Sequence, residues 1–119
     1  MEELRILIDI LVDRAREILK RMYNNEITCR LQFKKDVFSV KIIRLFRGFT
    51  KNGKLTVTGS ETFAEINYER VGNTGVFKVV KHARGTIVNE AVRIVLDMLR
   101  DRIPHHQIYE TYSFTKKRQ

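Results

Sequence analysis

The reactive side chains in this sequence are few, and their spacing argues for binding rather than catalysis. The histidines are His82, His105 and His106. On a strand, His105 and His106 would point to opposite faces, which makes a poor chelate. Tyr109 and Tyr112 follow them, and a tyrosine nucleophile beside a histidine-held metal would serve rolling-circle cleavage of nucleic acid. That chemistry needs a His–apolar–His pair on one strand face, a spacing this sequence lacks. Glu61, Glu65 and Glu69 fall at even spacing in a β-rich stretch, where they would share a face able to hold Mg2+. A metal nuclease usually adds a Glu-x-Lys arrangement, which is missing, and balancing the neighbouring basic strands is the simpler role for these acids. Phosphate-loop and dinucleotide fingerprints are absent, as is zinc-type Cys/His spacing. No catalytic residue, metal or cofactor is therefore expected.

The chemistry that remains is electrostatic. The 119 residues hold 23 Lys+Arg against 14 Asp+Glu, a net charge of +9. An excess of this size attracts polyanions and makes their binding salt-sensitive. A Lys-rich solvated surface is the competing explanation, and the low Pro, Cys and Gly content with 31% charged residues would suit a thermophilic source. Position separates the two. Residues 1–24 are neutral overall, with five basic and five acidic side chains, whereas residues 25–60 carry eight basic against two acidic.

Within that segment Arg30, Lys34, Lys41, Arg44, Arg47, Lys51 and Lys54 are interleaved with Phe33, Phe38, Phe46 and Phe49. Cations neutralise phosphates, and flat rings stack on unpaired bases at ~1–3 kcal/mol each. A protein that grips single strands without reading sequence needs both. Any one of these phenylalanines, taken alone, is better suited to a core. As a cluster they favour a binding face, with Phe46 and Phe49 as the stacking rings. A second phosphate site is expected at Lys81-His82-Ala83-Arg84-Gly85-Thr86. There a helix N-terminus would offer free N–H groups, Lys81 and Arg84 full charges, and Gly85 close backbone approach.

The elements that must position these residues are legible in the hydrophobic pattern. Residues 3–23 read as an amphipathic helix on Leu4, Leu7, Ile8, Leu11, Ala15, Ile18, Leu19 and Met22, stopped by Asn24-Asn25. Its balanced charge suits core cover or a dimer contact. Residues 27–34 alternate as a strand with one buried face, which places Cys29 as a core thiol. Lys35-Asp36 marks a tight turn. Residues 37–49 form a long strand whose alternation slips near Ile42-Ile43, the mark of a bulge. Asn52-Gly53 signals a hairpin in which both residues accept positive φ. A strand follows from Leu55 to Tyr68, broken around Gly59-Ser60, then a turn at Gly72-Asn73-Thr74-Gly75 and a strand over 76–81. Residues 86–103 read as a second helix, capped by Thr86 and ended by Pro104. Residues 106–114 form a last strand, before a basic tail of Lys116-Lys117-Arg118. The result is one α+β domain: an N-terminal helix, a curved antiparallel sheet of four to five strands with helices on one face, a second helix and a final strand.

Residues 79–108, VVKHARGTIVNEAVRIVLDMLRDRIPHHQI, resemble part of the Alba family of archaeal chromatin proteins. Ala83-Arg84-Gly85, Ala91-Val92, Val95 and Pro104 follow that family's strand, Ala-Arg-Gly step, helix and Pro exit without a gap. The resemblance implies DNA or RNA binding, usually by a dimer. No principal Alba binding residue transfers, because that family places its main lysines in an N-terminal strand–helix turn and this chain opens with a helix and four strands. The element order also looks similar to ThermoDBP-type single-strand binders, on architecture alone.

These observations lead to one expectation, a non-enzymatic, sequence-tolerant nucleic-acid binder that favours single-stranded DNA or RNA. A homodimer is expected. No apolar run approaches the ~20 residues of a membrane span, and a lone cysteine fits a reducing, cytoplasmic setting. The alternative is an interaction module, such as a small viral or regulatory factor, that meets an acidic protein partner with the same charges. The two differ in what they ask of Phe46 and Phe49. Stacking needs those rings exposed, and an acidic partner does not.

Overall fold

A computed structural model describes residues 2–35, 37–103 and 106–112. Asp36, Pro104, His105 and the basic tail, for which the sequence suggested a turn, a helix exit, a poor chelate and a cationic extension, lie outside them. The element order is α1 (Glu2–Met22), β1 (Ile27–Lys34), β2 (Val37–Phe49), β3 (Leu55–Val71), β4 (Thr74–Lys81), α2 (Thr86–Arg100) and β5 (His106–Tyr112). Neighbours in the sheet follow sequence order, β1-β2-β3-β4-β5. The first four strands form an antiparallel meander, and β5 lies parallel to β4. The sheet is therefore mixed. A helix between two neighbouring strands returns the chain to its starting end, which makes the second strand parallel to the first.

Each helix forms because its sequence can bury one stripe. In α1, Ile8, Leu11, Val12, Ala15 and Leu19 are buried; in α2, Val88, Ala91, Val92, Val95, Leu96 and Leu99 are. Both stripes join one core with Ile27, Cys29, Val40, Ile42, Ala64, Ile66 and Val79 of the sheet. Asn24 and Asn25 end α1 at φ 53° and 65°, and the Asn25 amide bonds back to the Lys20 carbonyl at 2.9 Å, the six-residue closure of a Schellman turn. The start of α2 differs from the expected cap. Thr86 is the first helical residue, the cap position is Gly85 at φ 124°, and no side-chain hydrogen bond closes it. Only glycine adopts that φ freely, so the chain entered the helix through Gly85 and left the Thr86 hydroxyl one position too late to cap.

Turn chemistry sets the hairpins. Lys35 at φ 56° opens the β1–β2 turn, Gly53 at φ 81° the β2–β3 turn and Gly72 at φ 65° the β3–β4 turn. Asn52 keeps a negative φ, contrary to the expectation for that pair. The β3–β4 turn is only Gly72-Asn73, because Val71 already pairs with Thr74. Thr74 and Gly75 belong to β4 instead. The strand from Leu55 is continuous through Gly59-Ser60.

Across four strands, one register row on the helix side is aromatic: Phe33 pairs with Phe38, Phe38 with Tyr68, and Tyr68 with Phe77. Phe38 and Tyr68 stack at 4.9 Å between centroids and 21° between planes, and Tyr68 meets Phe77 at 5.0 Å. The row needs Gly75. A Cβ there would fall 2.5 Å from the Tyr68 hydroxyl and 2.6 Å from its ring.

Between helices, the Tyr23 hydroxyl donates to the Glu90 carboxylate, and loss of water with that bond pushes the Tyr23 pKa up to about 12. Burial likewise pushes the Cys29 thiol up to about 11, although nearby Arg16 works in the other direction.

Two outcomes test this packing. Gly75→Ala should displace the Tyr68 ring and lower the unfolding free energy by about 2 kcal/mol in a urea titration, the cost of overpacking a filled core. Cys29 should alkylate at pH 8 ~100-fold more slowly than a free cysteine even before steric shielding, because so little of it is thiolate. Unfolding in denaturant should restore the ordinary rate.

Candidate nucleic-acid interface

Strand alternation assigns each cation to a face. On β2, Phe38, Val40 and Ile42 point to the helices, so Arg44, Phe46 and Gly48 continue that face while Lys41, Ile43, Leu45, Arg47 and Phe49 lie on the other. On the helix-free face of the body, Arg30 is opposite Lys41 and Lys34 opposite Val37. Acids accompany these cations. Lys41 is paired in register with Glu65, which also contacts His82 at 2.9 Å, and Lys78 bonds Glu69 at 3.0 Å. The body of the sheet is thus a mixed-charge surface.

The hairpin beyond it differs. β1 has its last register partner at Arg44 and β4 at Ala64. Past these points the Leu45 amide still donates to the Glu26 carbonyl at 2.7 Å and the Phe63 carbonyl accepts from the His82 amide at 2.8 Å, and otherwise β2 and β3 pair with each other, from Leu45–Ser60 to Phe49–Leu55. This makes a two-stranded arm of about 17 Å at ~3.4 Å per residue. It carries Arg44 at its base, Arg47 along it, and Lys51 and Lys54 in its turn. From Val37 to Ser60 there is no acidic residue. Among the described residues, no carboxylate forms a salt bridge with Arg44, Arg47, Lys51 or Lys54. Arg47 instead donates to the Asn25 carbonyl.

The four phenylalanines of the basic segment divide. Phe38 is buried, and Phe33 packs half-buried on the core with the Arg5 guanidinium 4.7 Å above its ring. Phe46 and Phe49 are 40% and 74% exposed, the condition that stacking requires. Arg44 stands between Phe46 and the buried Phe63, 5.5 and 5.7 Å from their centroids, a cation–π arrangement that fixes a charge beside a ring. Phe46 lies directly opposite Gly59 and two residues before Gly48, so its neighbours on that face leave the ring uncovered.

Two irregularities in β3 decide what stands opposite these residues. The register shifts at Ile42/Ile43 and at Phe46/Arg47, where Phe63 and Thr58 are the extra residues on β3. The first lies where the alternation slips. It also separates the glutamates: Glu61 faces Arg44 on the helix side, while Glu65 faces Lys41 on the other. The even spacing does not give a shared face, and among the described residues no group of three His, Cys, Asp or Glu side chains is placed to hold a metal.

At the strand–helix step the two expected phosphate ligands part company. Arg84 is exposed, whereas Lys81 is buried on the helix side with its ammonium 2.9 Å from Glu110. The Lys81 side chain follows the core-facing parity of Phe77 and Val79, so it is not offered to a ligand beside Arg84.

Compared with protein-family models, curated proteins and solved structures, the chain matches none. The likeness to Alba proteins thus rests on the residues quoted above. Among the described residues no helix is long and apolar enough to cross a membrane.

Sequence reasoning passed over two groups. Leu55 and Val57 are exposed on the same face of the arm as Phe49, and no periodicity distinguishes an aliphatic residue on a bare ribbon from one on a buried sheet. Arg5 and Arg16 of the charge-balanced helix stand with Arg30 along an open groove beside β1. Charge counted by segment cannot show that helix side chains cross to a strand edge, as Arg16 does by donating to the Cys29 carbonyl at 3.0 Å.

The burial of Lys81 has a consequence. Glu110→Gln should lower stability by about 1 kcal/mol, since it leaves a buried ammonium less well paired across a half-exposed contact. Affinity for nucleic acid should not change, as read by anisotropy beside a thermal melt.

Proposed function

We propose that the protein binds nucleic acid without sequence preference, single strands over duplex, and that the β2–β3 arm is the principal contact. The observation that carries this is the exposure of Phe46 and Phe49 beside Arg44 and Arg47 on a ribbon that has no acidic residue beyond Glu61, which stands opposite Arg44 at its base. Guanidinium and ammonium groups along the arm would neutralise successive phosphates, and the rings would take unstacked bases. Arg30, Lys34 and Lys41 extend the cationic track onto the body, where neighbouring acids weaken it. Arg84 is a separate cation at the start of α2. The reaction is binding alone, with no substrate converted.

One feature favours the second reading, a protein partner with acidic residues. Leu55 and Val57 add aliphatic surface next to Phe49, which suits a protein at least as well as a base.

A labelled oligo-dT titrated by fluorescence anisotropy across a salt series, with duplex as competitor, separates these readings. Tight, salt-dependent binding that duplex does not displace is the expected result. Replacing Arg47, Lys51 and Lys54 together by Gln should reduce the slope of log affinity against log salt by about 2, at ~0.7 per phosphate contact on a single strand. An unchanged slope would remove the arm from the interface, and absence of binding at low salt would leave the protein-partner reading.

A further inference from the structure

The arm is two-sided, and this sharpens the choice of substrate. Alternation along β2 places Arg44 and Phe46 on the helix-side face and Arg47 and Phe49 on the opposite one. Each face therefore has one exposed ring and one arginine of its own. On the first face, Phe46 is uncovered because Gly59 lies opposite and Gly48 follows on the same side. On the second, Phe49 is joined by its register partner Leu55 and by Val57, the partner of Arg47. Beyond Leu45 and Phe63 no third strand flanks the ribbon, and the exposure of Phe46 on one side and of Phe49, Leu55 and Val57 on the other shows that both faces are open along the arm. Neither helix covers the first face there, since Phe46 remains 40% exposed. Lys51 and Lys54 cap the end between the faces.

Side chains on the two faces of a strand project in opposite directions, with the backbone between them. Rings placed this way cannot enter one continuous base stack. A single strand can use one face, or must wrap sharply to use both. A nucleic acid whose two strands diverge meets the arrangement directly, one strand to each face, with the duplex end against the tip.

Resting on the nucleic-acid reading above, we infer that the preferred substrate is a fork, the junction where a duplex opens into two single strands, with the arm seated between them. Phe46 and Arg44 take one strand, and Phe49 and Arg47 take the other. Lys51 and Lys54 meet phosphates at the duplex end. The arm holds a fork that is already open, and no strand-separating reaction is implied.

Three labelled probes test this by anisotropy at one salt concentration: a duplex with two non-complementary oligo-dT arms, an oligo-dT strand, and a blunt duplex. The fork should bind at least tenfold more tightly than either other probe. Phe46→Ala and Phe49→Ala, both at exposed positions and checked for fold by circular dichroism, should each cost about tenfold on the fork. On oligo-dT each should cost no more than about twofold, because the intact face still serves a single strand. Equal affinity for fork and oligo-dT, or equal losses on both probes, would overturn the fork assignment while leaving nucleic-acid binding in place. Absence of binding to all three probes would instead remove the nucleic-acid reading, and the fork with it.

Discussion

The row Phe33–Phe38–Tyr68–Phe77 is the contact on which the rest of the sheet depends. A strand has a period of two, so a slip of one residue would exchange its buried and exposed faces. Four aromatic side chains in register across four strands tie the pairing in place, and stacked or tilted rings add to simple area burial. Tyr68 at the centre is close enough to Gly75 that no side chain can stand there. The cations inherit their positions from this row. With Phe38 inward, Lys41 and Arg47 must lie on the helix-free face and Arg44 on the helix side.

The two extra residues in β3 then change what the strand can display. A bulge sharpens twist and breaks parity, and here the break at Phe63 separates Glu61 from Glu65. The one at Thr58 resets the faces again, bringing Gly59 opposite Phe46 and Val57 opposite Arg47. The ring and the cation on each side of the hairpin come from the uninterrupted alternation of β2, and the bulges in β3 decide only which residues stand across from them.

Electrostatics follow the same division between body and arm. On the body, Arg16, Lys78 and Lys81 each meet a carboxylate, and Lys41 stands across from Glu65. The exposed pairs, Arg16 with Asp13 and Lys78 with Glu69, add little stability, but all of these carboxylates reduce the field that a polyanion would meet. On the arm only Arg44, at its base, has a carboxylate across from it, that of Glu61, and among the described residues no carboxylate forms a salt bridge with the arm's cations. Its charges are held near rings and carbonyls instead, by the Arg44 cation–π contacts and the Arg47 bond to Asn25.

The sequence by itself determined the elements, because helix and strand periods, Asn-Asn and Gly turns and the clustering of charge are local properties. Both helices, the first hairpin and the slip at Ile42-Ile43 were legible this way, as was the basic, aromatic character of residues 30–54. Tertiary structure decided what those residues are for. Phe38 and Phe46 look alike in the pattern, and only the point at which β1 and β4 stop pairing makes one core and the other surface. Lys81 looks like an available cation until the parity of β4 turns it inward to Glu110. Thr86 looks like a cap until Gly85 takes that position. The even spacing of Glu61 and Glu65 predicts a shared face, which a bulge set by pairing with β2 removes. In each case the deciding quantity is strand parity or strand length relative to a neighbour distant in sequence, which no local pattern encodes.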